Sequence, residues 1–188
     1  MSLGFCLLAA WFAMANGWHL LLVVLGAAAV HELGHVLALK CLGASCGGLR
    51  VGVLGAELEI AGGRLSYGGE LACVLAGPGA NLLCALALAA GGETVLAGAH
   101  LTLCLFNLLP VRPLDGGRAL YLAVSWLAGP RAGERAARWV GAMTGALLGT
   151  ALVWLMGRSG GSLWLLPPAV AALYLAVREG AAYPGFFL

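Results

Sequence analysis

Residues 18–40 read WHLLLVVLGAAAVHELGHVLALK, an apolar run interrupted by His31-Glu32-Leu33-Gly34-His35. Two properties of this stretch decide how the rest of the chain is read. It is long enough to cross a bilayer, for which about 20 apolar residues suffice. It also carries two imidazoles and a carboxylate inside that crossing, where such groups are expensive and point to function by default. Working outward toward the N-terminus, residues 1–30 contain no Asp, Glu, Lys or Arg, so the apolar character runs from Met1 to Leu39. One helix of that length would reach roughly 58 Å, against a hydrocarbon core of about 30 Å. The chain must therefore fold back, and Asn16-Gly17 is the natural break. A short first span over 3–15 and a second over 18–40 follow.

The remainder of the sequence continues in the same way. Of its 188 residues 62% are hydrophobic and 10% charged, with mean hydropathy +0.97. A soluble domain carries roughly a quarter charged residues, so a water-soluble globule is excluded. A net charge of +2 is too small to suggest a nucleic-acid partner. Four further uncharged runs are candidate spans: 71–92 with Gly77-Pro78-Gly79, 94–109 ending at Pro110, 139–157, and 160–177. In the last, Pro167-Pro168 is expected to kink or break the helix. The expected fold is an all-α polytopic membrane protein with about six transmembrane helices. A small β-hairpin or sheet is expected between spans two and three, and residues 1–188 form one domain in contact with the lipid bilayer. With the N-terminus in the cytoplasm, Lys40, Arg50, Arg64, Arg112, Arg118, Arg131, Arg135, Arg138 and Arg178 fall inside and Arg158 alone outside. The positive-inside rule favours that orientation, with both termini cytoplasmic. Five spans, with 1–15 interfacial, is the alternative. No cleavable signal peptide is expected, because residues 1–15 lack a basic start.

The chemistry lies in the second span. On a helix, positions i and i+4 share a face about one turn apart, the separation at which two imidazoles can grip one zinc ion. The intervening Glu32 is positioned to act as general base toward water. Catalytic zinc usually takes three protein ligands and leaves a fourth position open. The best third candidate is Asp115, the sole carboxylate between Glu93 and Glu134. It follows Pro110 and Pro113, which stop a helix, and precedes Gly116-Gly117, which permit a tight turn. The competing reading has Asp115 capping a helix that starts at Gly117. A zinc transporter would need ligands at two depths, and one cluster is present. Asp115 is the single aspartate of the sequence, so no aspartate pair lies in the spans, which argues against an aspartyl intramembrane protease.

The two motifs together resemble those of the site-2 protease family of intramembrane zinc metallopeptidases. That family pairs an H-E-x-x-H helix with a later N-x-x-P-x-x-x-L-D-G segment, matched here by His31 to His35 and by Asn107 to Gly116. The layout is similar to the sporulation branch, the stage IV sporulation protein FB type, but without its C-terminal CBS domain. No PDZ domain is expected either, so substrate choice is expected to rest on the membrane part or on partners. The resemblance implies that His31, His35 and Asp115 bind Zn2+, that Glu32 is the base, and that Asn107 helps orient substrate. It implies a zinc metalloendopeptidase of a bacterial cell membrane, cutting membrane-tethered precursors near the cytoplasmic face. A sporulation sigma factor precursor is the implied substrate, and membrane inhibitor or regulator proteins are possible partners.

Other features carry less. Leu49 to Val53 and Glu57 to Ile60 alternate as strands do, in a glycine-rich stretch that a plain loop would also explain. An exposed strand edge there could accept an extended substrate. Cys6, Cys41, Cys46, Cys73, Cys84 and Cys104 form no C-x-x-C pair and read as structural. His19 and His100 read as interfacial side chains near outer span ends. Gly141, Gly145 and Gly149 form a groove for a close helix contact, internal packing being favoured over dimerisation. Residues 131–138 read either as a basic segment on anionic lipid or as a solvated connector.

Overall fold

The computed structural model describes residues 14, 16–43, 45–52, 55–61, 65–160 and 165–180. The short span expected over 3–15 lies outside the described residues apart from Met14. The chain divides into two compact units, 1–108 and 109–188.

In the first unit, α1 (Trp18–Cys41) starts directly after Gly17, whose φ of 87° is the left-handed geometry that glycine adopts without strain. The backbone then pairs as an antiparallel ribbon, β1 (Ser45–Gly52) with β2 (Gly55–Ala61). Its register sets Ser45 opposite Ala61 and Gly52 opposite Gly55, with an irregularity between Cys46 and Gly48. Next comes α2 (Tyr67–Ala90). Ser66 caps it by accepting from the Gly69 amide at 3.2 Å, which satisfies one orphan N–H of the first turn. Gly91-Gly92 turn the chain into α3 (Thr94–Asn107). The three helices pack on one another.

The second unit holds α4 (Asp115–Ala128), α5 (Pro130–Arg158) and α6 (Leu166–Gly180). Gly129, at φ 86°, separates α4 from α5, and Pro130 opens α5 at a position where its missing N–H is no loss. Helix α5 packs on both neighbours.

Burial is inverted relative to a water-soluble protein. In α5 the buried positions are Gly133, Ala137, Gly141, Gly145 and Gly149, one small residue per turn. Trp139, Met143, Leu147 and Trp154 are exposed. In α2, Gly77, Asn81 and Ala85 are buried, while Leu82, Leu83 and Leu86 are exposed. Small residues let helix backbones approach, and large apolar ones face the surroundings, which suits lipid and not water. The chain is a membrane protein. The glycine stripe of α5 packs internally: a side chain at 145 would meet Ala172 and Ala176, and one at 149 would meet Leu173, all on α6.

The expectation of about six transmembrane helices is corrected. Of the six described helices, Trp18–Cys41, Tyr67–Ala90 and Pro130–Arg158 are long and apolar enough to cross a membrane. The reason is that an uncharged run is not the same as a helix. The run 94–109 yields a helix of 14 residues, about 21 Å long at 1.5 Å per residue. Within the run 160–177 the described helix starts at Leu166, so Pro167-Pro168 lie in its first turn. Residues 115–128 form an amphipathic helix that begins at Asp115 and not at Gly117, and 131–138 are the first turns of α5.

Candidate metal centre

The first unit builds a nitrogen pair from helix geometry alone. Four residues apart on α1, His31 and His35 share a face, with ring centroids 4.8 Å apart and ring planes at 84°. Their Nε2 atoms lie 3.1 Å from each other. His31 is buried and His35 half-buried. Gly34, inside the motif, is where α1 meets α2: a Cβ there would lie 2.6 Å from the Ala76 carbonyl oxygen. Gly77 on α2 is tighter in a more telling way. A Cβ at 77 would collide with His35 Nε2 and lie 2.9 Å from His31 Nε2. Glycine at this position keeps open the space in front of both nitrogens.

Each imidazole is also held from behind. His35 Nδ1 is 2.8 Å from the Cys73 carbonyl oxygen. A carbonyl can only accept, so Nδ1 carries the hydrogen and Nε2 presents a lone pair when the ring is neutral. His31 Nδ1 contacts Asn81 Nδ2 at 3.2 Å, and Asn81 Oδ1 contacts His100 Nδ1 at 3.0 Å. Asn81 is 0% exposed, His31 5% and His100 7%, so this row of polar side chains has no competing water.

The arrangement fits zinc. Two nitrogens bound at about 2.0–2.1 Å in a tetrahedron sit roughly 3.3–3.4 Å apart, close to the observed separation. Second-sphere hydrogen bonds to the far nitrogens are what metal-binding histidines ordinarily make. Glu32 is half-buried, with one carboxylate oxygen shielded from solvent.

The second unit positions Asp115. It is the first residue of α4, after Leu114, and no side-chain cap bond closes that terminus, so the capping reading is not what the helix uses. A carboxylate in a first turn is favoured by the helix dipole. The preceding loop is held tightly. Gly117 lies against its backbone: a Cβ there would be 2.6 Å from the Val111 carbonyl carbon and 2.7 Å from the Arg112 nitrogen. Glycine is therefore required at 117 by space and not by a left-handed φ. Arg112 donates to both carboxylate oxygens of Glu134, at 2.9 and 3.2 Å, and lies 3.5 Å from Glu179. Burial alone would lower the Arg112 pKa, but the Glu134 hydrogen bond and the Glu179 and Glu134 charges raise it.

Other expected residues fall as follows. Asn107 ends α3, and its amide nitrogen donates to the Leu103 carbonyl at 3.0 Å. His19 is exposed in the first turn of α1. His100 is not an interfacial side chain: because α3 runs only from Thr94 to Asn107, His100 sits at its middle and faces Asn81. Asn81 escaped the sequence reading, although an amide in an uncharged run is the signal that could have found it. Cys41, Cys84 and Cys104 are free thiols.

These elements define a class: a helical membrane protein with an inward-facing H-E-x-x-H imidazole pair on a span-length helix. No protein-family model and no curated protein matches the chain. Among solved structures its fold is similar to that of a site-2 protease from Methanocaldococcus jannaschii, with TM-score 0.67 and 21% identity. The match covers 95% of this chain and 87% of that one. At this identity the likeness is one of fold.

Proposed function

We propose that the chain is a zinc-dependent endopeptidase working within a membrane, with residues 1–188 acting as one protease domain. The observation that carries this reading is the His31–His35 pair, whose Nε2 atoms lie 3.1 Å apart on a helix long and apolar enough to cross a bilayer. The fold shared with the archaeal site-2 protease supports it.

In this reading His31 and His35 hold zinc and Asp115 is the third ligand. Two imidazoles and a carboxylate are a donor set used by zinc hydrolases. Bound there, zinc supplies Lewis acidity that activates water and polarises the scissile carbonyl. Glu32 accepts a proton as water attacks the carbonyl carbon. It returns that proton to the amine as the C–N bond breaks, so a peptide bond and a water become an acid and an amine. Asn107 helps orient the substrate chain.

The substrate is a membrane-tethered precursor protein, and the sequence resemblance favours a sporulation sigma factor precursor, with membrane regulators as partners. The basic residues flanking the apolar runs favour a cut on the cytoplasmic side, and the sequence resemblance favours a bacterial membrane. The test is to purify the chain, measure bound zinc, and co-express it with candidate tethered precursors. The expected result is zinc uptake that His31→Ala abolishes, together with a shortened precursor. A chain that takes up no zinc contradicts the proposal, as does a zinc-loaded one that cleaves no tethered precursor.

A further inference from the structure

The row of contacts behind His31 can run in two hydrogen-bonding directions, and only one of them leaves His31 able to bind a metal. In the first, His100 Nδ1–H donates to Asn81 Oδ1 at 3.0 Å and the Asn81 amide donates to His31 Nδ1 at 3.2 Å. His31 then carries its hydrogen on Nε2 and donates to the His35 Nε2 lone pair at 3.1 Å. Each of the three contacts then pairs a donor with an acceptor, and the His31 ligand nitrogen is closed by its own proton.

In the second direction the Asn81 amide is turned over. His31 Nδ1–H donates to the Asn81 carbonyl, and the Asn81 NH2 donates to a lone pair on His100 Nδ1. Now His31 Nε2 and His35 Nε2 both present lone pairs to the space that Gly77 keeps open. Two lone pairs facing each other at this distance repel unless a cation lies between them. Each ring keeps a single hydrogen in both directions. On His31 it moves from Nε2 to Nδ1, and on His100 from Nδ1 to Nε2, with no net proton released or taken up.

We propose that His100, acting through Asn81, is a positioning residue for the His31 ligand, accepting from the Asn81 amide so that the His31 Nε2 lone pair faces the metal. The inference rests on the zinc reading above. Burial supplies its force. With Asn81 0% exposed and His100 7% exposed, no water can replace a missing partner. Without an acceptor at position 100, the Asn81 NH2 finds its acceptor at His31 Nδ1 and holds the closed tautomer. Loss of an outer-sphere partner weakens metal binding by about 10–100-fold, and His100 acts one residue further out, so the lower end of that range is expected.

The test has two arms. In the first, the wild-type protein labelled with nitrogen-15 at histidine is followed by NMR as zinc is added. His100 is expected to change from the Nδ1–H to the Nε2–H tautomer. An unchanged His100 tautomer on zinc binding overturns the proposal. In the second, zinc affinity is measured by chelator competition. His100→Leu should weaken binding roughly 10-fold. His100→Asn, whose carbonyl stands where Nδ1 stood, should restore it. Equal affinity in the wild type and His100→Leu overturns the proposal, and so does a His100→Asn variant as weak as His100→Leu. If His100→Leu does not fold, His100→Asn at wild-type affinity and the tautomer change together decide in its favour. A wild-type chain that binds no zinc removes the zinc reading itself, an outcome distinct from zinc binding that ignores His100.

Discussion

The imidazole pair of the first unit and the aspartate loop of the second are held by different forces. His31 and His35 are fixed by neutral hydrogen bonds among buried groups, ending at Asn81, His100 and the Cys73 carbonyl. The loop before Asp115 is fixed by backbone packing on Gly117 and by ion pairs from Arg112, whose side chain is 35% exposed, to Glu134, at 48%. The contrast follows from surroundings. Within an apolar helix bundle a neutral, fully paired row of polar groups is tolerable, whereas an unpaired charge is not. Where water reaches, charges are tolerable but ion pairs contribute little. Disturbing the first region should therefore have large effects, and disturbing the ion pairs of the second small ones.

The largest effect is expected at Gly77. Gly77→Val puts carbon atoms where the two ligand nitrogens face each other. Zinc content should fall to near background and cleavage with it, measured on the same preparation. Zinc retained at the wild-type level would mean that the pair does not face the metal from this side.

Asp115 comes next. Asp115→Ala removes the proposed third ligand and should weaken zinc by more than the roughly 10–100-fold that loss of an outer-sphere partner costs, with useful cleavage lost. Asp115→Glu should recover only part of the binding, since a longer side chain misplaces its oxygens. Full zinc and full activity in Asp115→Ala would move the third ligand elsewhere.

Packing within the second unit ranks third. A side chain at 149 would press on Leu173, so Gly149→Leu should destabilise the α5–α6 pair by about 1–3 kcal/mol. Thermal unfolding in detergent measures this, with zinc stoichiometry per folded molecule unchanged. A monomer–oligomer shift with no change in stability would instead assign the stripe to dimerisation.

The smallest effect is expected at Arg112. Arg112→Gln removes the Glu134 and Glu179 pairings, half-exposed at one partner, and should reduce stability by about 0–1 kcal/mol. A loss as large as that of Gly149→Leu would show that this cluster is as dry as the imidazole row and would erase the contrast.

What the sequence displays, and what it hides, follows the same division. His31, Glu32 and His35 are legible because their relation is local, fixed by one helical turn. Asp115 is legible because a lone carboxylate among uncharged residues stands out. Asn81 and His100 are neutral, and their partnership spans α2 and α3, so neither period nor charge announces it. The break at Gly17 could be read from turn chemistry. The number of crossings could not, because uncharged runs such as 94–109 and 160–177 do not reveal where a helix starts and stops. Helix α4 was legible only at its start, as a helix opening at Gly117, because its buried positions, Gly116, Gly117, Leu122 and Ser125, are mostly small and polar.

The central claim is hydrolysis by a general base beside a metal pair, and Glu32→Gln tests it most directly. The substitution keeps the side chain's shape and leaves both imidazoles in place. Zinc content and cleavage of a membrane-tethered precursor should be measured together on that variant. The account predicts zinc bound as in the wild type and cleavage reduced by about 10²–10⁴-fold. Cleavage at the wild-type rate by the zinc-loaded variant would contradict it.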